Sequence, residues 1–541
     1  MPAICNRRLG RRANSKRRLE VAGTLATPLV VSVSSPRVQP QNRKFYLLVA
    51  VFLLCAVLMG VFSAGRSKSS VEKWKEEMRA KGEKFTIAEL IPKRTGPVTN
   101  RTDELVRLGR LLAAQSASLS TIEHFRYLSN GVAEAAWMQP GLWGKRFSPP
   151  TAPASRAPKP HALPGMPPGA GPGANLYDWE ELATEISASG PVLSDLHALL
   201  RMPDRDLGWN YDPKTAMPRC FVEKRAIAQW LAAANTHHLH ARETDQAFAN
   251  LIALFHLTAW HDEDFTLVSQ MIRVAIGGMA LHSTWATMQA PGLTDTRLAT
   301  LQARLQSCSV LPGLARTFEF ERASLDQVFV SVRTGQESFT SAWGGGSSTG
   351  WSRAGEQVSG VAWRIFLSDA DELFYLRNMQ GHVDALRKAL RLRDWSAVQA
   401  DLAANRAELA VFDTWRGNLL MLSRFAIPNL IKAMQTAARY ETRLELTLAA
   451  IALERHRRKH GSHPNTLNQL VPEFLSAVPV DWMDGKPLRY RLNPDGTFTL
   501  WSVNEDFKDD GGDATDNSTT SRQRDIWDGR DAVWPRVPKL P

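Results

Sequence analysis

Cysteine is scarce in this 541-residue chain: there are four, of which only Cys220 and Cys308 lie beyond residue 55. No CxxC pair occurs, so thiol-redox centres and zinc knuckles have no basis in the sequence. In an oxidising compartment Cys220 and Cys308 either form one bridge, closing a loop of about 90 residues, or stay two buried thiols. HExxH is missing. The glycine run GGGSSTG at 344–350 lacks the Lys-Ser/Thr of a phosphate-binding loop, so residues 342–355 read as a flexible insertion. An excess of one charge is also missing from most of the chain. Lys and Arg number 66 against 54 Asp and Glu, but ten of the cations fall within residues 1–65 beside one acid, Glu20. The remainder holds 56 basic and 53 acidic side chains, which points away from a nucleic-acid partner.

Long apolar runs are absent with one exception. Phe45–Gly65 (FYLLVAVFLLCAVLMGVFSAG) is 21 residues without a charge. As a helix it spans about 31 Å, which matches a bilayer core of about 30 Å. It is longer than a signal-peptide core of about 7–15 residues, and Phe62 occupies the −3 position of a cut after Ala64. An uncleaved signal-anchor is expected, with the lipid bilayer as its partner. Residues 1–44 are a basic tail, whereas Arg66, Lys68, Lys73 and Lys75 mix with Glu72, Glu76 and Glu77. The positive-inside rule then places the N-terminus in the cytoplasm of a bacterium and the bulk of the chain outside its inner membrane. Trp74, close behind the run, is a candidate for the membrane interface.

The body divides by composition. Residues 66–139 read as a juxtamembrane helical segment, amphipathic over 71–90 and broken near Gly82. Residues 140–174 are a Pro/Gly-rich linker, with ten prolines and six glycines between Pro140 and Gly173. Residues 175–440 form a helical domain. Steps of three and four between apolar residues predict helices at Val222–His240, Thr244–Trp260, Phe265–Met288, Asp295–Gln306, Val361–Lys388, Trp395–Leu409 and Asn429–His456. Residues 441–541 form a small α+β unit. Asn465 or Thr466 caps a short helix. The alternation at Leu488, Tyr490 and Leu492, the turn Asn493-Pro494-Asp495-Gly496 and the run Thr497–Val503 predict a β-hairpin. The expected fold class is mainly α: one N-terminal transmembrane helix, an outer body of helical hairpins, and a C-terminal α+β unit with a β-hairpin.

The succession ELTLAAIALERHRRKHG (445–461), HPNTLNQLV, VPVDWMDGKPLRYR, DGTFTLWSV and DDGG resembles the soluble part of type II secretion major pseudopilins. It is similar too to the C-terminal ends of membrane-anchored planctomycete and verrucomicrobial proteins of unassigned function, which carry a short tail, one membrane helix and a helical middle. The likeness covers about 75 residues. It implies a compact packing or recognition unit, with calcium held in the loop behind the second strand. Asp481-Trp482 stands where these families usually carry Asp-Pro.

That loop is the strongest candidate site. Glu505, Asp506, Asp509, Asp510, Asp513 and Asp516 place six acids in 12 residues around Gly511-Gly512. Calcium takes six to eight oxygens from such a set, so Asp506, Asp509, Asp510, Asp513 and Asp516 are the candidate calcium ligands; the alternative is a solvated acidic loop. EF-hand spacing fails at Lys508. His237, His238 and His240 near Glu243 are a second candidate metal cluster, against ordinary surface or hydrogen-bonded histidines. The 17 Trp either line a glycan groove or fill helical cores. The sequence thus favours a non-enzymatic envelope scaffold that docks envelope protein partners. The alternatives are a secretion-apparatus accessory and an envelope glycan or peptide hydrolase with carboxylates from distant positions.

Overall fold

A computed structural model describes residues 70–91, 101–115, 179–202, 220–260, 265–288, 290, 292–338, 360–427, 430–515 and 526–534. The expected tail 1–44, the membrane run Phe45–Gly65 and the linker 140–174 lie outside the described residues. No helix among the described residues is long and apolar enough to cross a membrane.

The described chain is mainly helical, with one small antiparallel sheet. Helix α1 covers residues 70–80 and ends in a turn where Gly82 takes φ +91°. α2 (Ile87–Leu90) follows behind a capping box in which Thr86 and Glu89 satisfy each other's backbone N–H. Next come α3 (Arg101–Gln115), α4 (Trp179–Ala188), α5 (Gly190–Arg201), α6 (Phe221–His240), α7 (Thr244–Ala259), α8 (Leu267–Met288) and α9 (Asp295–Gln306). α10 (Leu311–Thr334) closes on Gly335 in the left-handed conformation that favours glycine. α11 (Ser368–Leu392) is entered through helical residues 360–362 and a wider π turn at Trp363–Leu367. α12 (Gln399–Glu408), short 3₁₀ turns, α13 (Ser423–Ala426) and the long α14 (Leu430–His460) complete the helices.

Consecutive helices α6, α7 and α8 pack on one another, and α14 runs against α8, α9 and α10. Gly277 of α8 is there for room: a Cβ would stand 2.5 Å from the Tyr440 hydroxyl of α14. Tyr440 is buried and its hydroxyl donates to the Cys308 carbonyl at 3.1 Å. Cys220 and Cys308 are both buried and are not bridged. Trp74, a candidate for the membrane interface, is instead 8% exposed and stacks edge-on against Phe85 with 5.5 Å between centroids.

Strands β1 (Arg489–Leu492), β2 (Phe498–Ser502) and β3 (Ala532–Trp534) form the sheet in that order. Tyr490 pairs Leu500 and Leu492 pairs Phe498, so the expected hairpin is present. The third strand was not anticipated; it pairs Leu500 with Trp534, whose ring meets Trp285 of α8 at 4.9 Å. One core of buried apolar residues runs from Val71 to Trp534. The expected division at 440/441 falls inside α14.

Candidate functional site

The densest polar chemistry surrounds α1, which lies against α10 and α11. Lys75, with 5% of its side chain exposed, places Nζ 2.8 Å from Asp326 Oδ1 and 2.7 Å from Glu372 Oε1. The other oxygen of Glu372 meets Arg333, which also binds Asp369. Three carboxylates thus share two cations out of water. Burial pushes the Asp326 carboxyl up to about 7, with Lys75 pulling it down and Glu372 pushing it further up. Lys75 is held above its ordinary value: burial opposes its charge, and Asp326 and Glu372 outweigh burial.

Farther along, Glu83 lies between Arg322 and Arg387. Arg322 is fully buried, donates to the Lys84 carbonyl at 2.8 Å and covers the Phe85 ring at 4.5 Å. Burial opposes the Glu83 charge, but these two arginines hold its carboxyl below the usual range. Beside this network, Asp371 draws the chain around α13 onto α11. It accepts from Trp363 Nε1 and Leu422 N, both at 2.9 Å, and from Ser423. Burial raises its pKa against those donors.

Two adjoining open grooves follow α11 on the side of α12. One, of about 450 Å³, is lined by residues including Trp74, Met78, Lys81, Arg377 and Glu408; the other, of about 640 Å³, by Arg387, Lys388, Arg391 and Asp401 among others. Gly381, Asp384 and Asn405 border both. The lining carries both signs of charge and no serine, threonine, cysteine or histidine, so it suits ion pairing and hydrogen bonding to a polar partner.

In the acidic loop, Glu505, Asp506, Asp509 and Asp513 each take their own partners. Asp506 accepts from Lys508 N. Asp509 accepts from Trp501 Nε1 at 2.9 Å and Gly511 N at 3.1 Å; burial opposes its charge, but these bonds and Arg489 hold its pKa down. Asp513 accepts from Thr515, which lowers its pKa. Glu505 pairs with Arg439. The N–H groups of Asp510, Gly512 and Asp513 all donate to Asp531, a fully buried carboxylate outside the acidic run. Asp516 lies outside the described residues. Among the described residues, which leave out Asp516, no three His, Cys, Asp or Glu side chains are grouped to hold a metal ion. Of the histidines, His238 Nδ1 lies 2.6 Å from Glu243, and His237 touches His238 edge-on. The side chain of His240 lies outside the described set.

The sequence reading missed Lys75, Asp326, Arg333, Glu372 and Asp531. Lys75 left a signal, since Val71, Trp74, Lys75 and Met78 share the inward helical spacing. It also passed over the G-x-S-x-G spacing at Gly346–Gly350, which lies outside the described residues. A nucleophile elbow with that spacing sits on the parallel sheet of an α/β-hydrolase, whereas the described sheet is antiparallel. The chain matches no protein-family model, no curated protein and no solved structure.

Proposed function

We propose that the chain is a single-pass cell-envelope protein of the bacterial inner membrane: residues 1–44 cytoplasmic, Phe45–Gly65 in the bilayer, and an extracytoplasmic helical body that serves as an interaction or scaffold unit. The observation that supports it best is the position of Lys75. The helical segment described from Ser70, five residues after Gly65, is a core element, fixed by Val71, Trp74 and Lys75. A body built around its juxtamembrane helix is suited to presenting a fixed surface to envelope partners. The grooves beside α11 offer such partners a polar, mixed-charge surface. The test is fractionation of cells expressing the full chain, followed by protease treatment of spheroplasts. The chain should resist carbonate extraction from membranes and lose its body to protease; a chain dissolved in the cytosol would end the reading.

A second reading, a secretion-apparatus accessory, draws on the compact unit in which the end of α14 packs on the three-stranded sheet, where the pseudopilin-like succession lies. Deletion of the gene should then reduce secreted protein, and an unchanged secretome would remove this reading.

A further inference from the structure

The ion pairs set the direction of α1 within the body. Lys75 meets Glu372 and Asp326, and eight residues later Glu83 meets Arg387 and Arg322. The first segment therefore runs parallel to α11 and antiparallel to α10. Its first described residue, Ser70, lies toward the end where α10 finishes and α11 begins. The chain between α12 and α14 reaches the same end: Phe412 packs edge-on against Phe374 at 5.5 Å, and Leu422 and Ser423 bind Asp371.

This end exposes apolar side chains. Trp415 is 71% exposed, Val361 51% and Ile365 42%, with Leu419 beside Trp415 in sequence. The Arg416 guanidinium lies over the Trp415 ring at 5.6 Å. Arg364 and Arg424 add positive charge there, and Glu337 and Asp413 add negative charge. Exposed tryptophan with arginine and aliphatic neighbours is the composition found where protein meets lipid headgroups.

Only residues 66–69 separate Ser70 from Gly65. Fully extended, that connection reaches roughly 18 Å. We propose that this end of the helical body rests on the bilayer surface, with Trp415 and Ile365 at headgroup level and α11 leading away from the membrane. The proposal rests on the anchor reading above and adds an orientation to it. The opposite end of α11, where Leu392 is also exposed, then stands in water.

The test uses the full chain in vesicles of phosphatidylethanolamine and phosphatidylglycerol. Cys5 and Cys55 are replaced, while Cys220 and Cys308 are buried. Nitroxide labels are placed at Ile365→Cys, Trp415→Cys and Leu392→Cys. Labels at 365 and 415 should lose accessibility to a water-soluble nickel chelate and gain accessibility to oxygen relative to the label at 392. In parallel, brominated lipid should quench the unlabelled chain more than its Trp415→Phe variant, which guards against a misfolded labelled protein. If the chain floats with the vesicles but all three labels meet nickel equally and quenching is unchanged by Trp415→Phe, the docking is wrong and the anchor stands. If the chain does not float, the anchor reading falls and the docking with it.

Discussion

Replacing Lys75 by methionine keeps the length of the apolar stem and removes the charge from between Asp326 and Glu372. Glu372 keeps Arg333. Asp326, 10% exposed in its side chain, keeps no cation that it contacts in this network. Its carboxyl already stands near 7 because burial outweighs Lys75, and without Lys75 it rises further. A raised carboxyl keeps its proton in the folded chain after the unfolded chain, titrating near 3.9, has lost it. Stability therefore falls as pH rises through that window. In the wild type the fall ends near pH 7; in the variant it continues. At pH 5.5 Asp326 is mostly protonated in both proteins, and the variant loses the Lys75 hydrogen bonds and its pairing with Glu372, which keeps Arg333, about 1–2 kcal/mol. Above pH 7 the difference should grow by about 1.4 kcal/mol per unit. By pH 8.5 it should reach roughly 3–4 kcal/mol, the scale of a broken buried ion pair. Urea unfolding of the full chain in detergent at pH 5.5, 7 and 8.5 reads this difference directly. A cost that is constant with pH, or that shrinks as pH rises, would refute the assignment of Asp326 as the group that depends on Lys75.

Four further outcomes follow from named contacts. Gly277→Ala forces the Tyr440 ring aside and should cost about 1–3 kcal/mol in urea melts; an unchanged midpoint would show that α8 and α14 separate freely. Asp481→Ala removes a fully buried acceptor for Met483 N, Val503 N and Ser502 Oγ and one of the carboxylates paired with Arg489, which keeps Asp484. It should cost roughly 3–5 kcal/mol and release the strand amides to hydrogen exchange. Glu83, whose folded pKa is depressed, stabilises above its unfolded value near 4.3 and loses that effect as pH falls. Glu83→Gln should therefore flatten the acid limb of the stability profile, and an unaltered limb would exclude the pair with Arg322 and Arg387. Millimolar calcium should leave the melting temperature unchanged, because Asp506, Asp509 and Asp513 already accept from backbone and side-chain donors; a rise would restore calcium as a ligand.

Helices were legible wherever the apolar stripe was uninterrupted. Asp295–Gln306 was located to the residue, because Thr294 caps its start and Leu298, Leu301 and Leu305 keep the period. Thr244–Trp260 was one residue too long. α10 escaped notice: Pro312-Gly313 at its start reads as a break, and the buried Arg322 and Asp326 put charge where the stripe should be apolar. The hairpin followed from alternation and turn residues, both local signals. β3 did not, because three residues carry too little pattern, β2 lies about 30 positions earlier, and Trp534 packs on Trp285, about 250 positions earlier. The same limit governed the site. Six clustered acids drew the reading to the loop, but the carboxylate that organises it is the remote Asp531. Partners that long-range folding brings to one carboxylate leave no spacing in the sequence.

The placement of the body is tested most directly by fusing reporters to Pro541 of the full chain. Alkaline phosphatase, which is active only outside the cytoplasm, should be active, and green fluorescent protein exported by the same route should stay dark. Bright fluorescence with an inactive phosphatase would put the body in the cytoplasm and contradict the account.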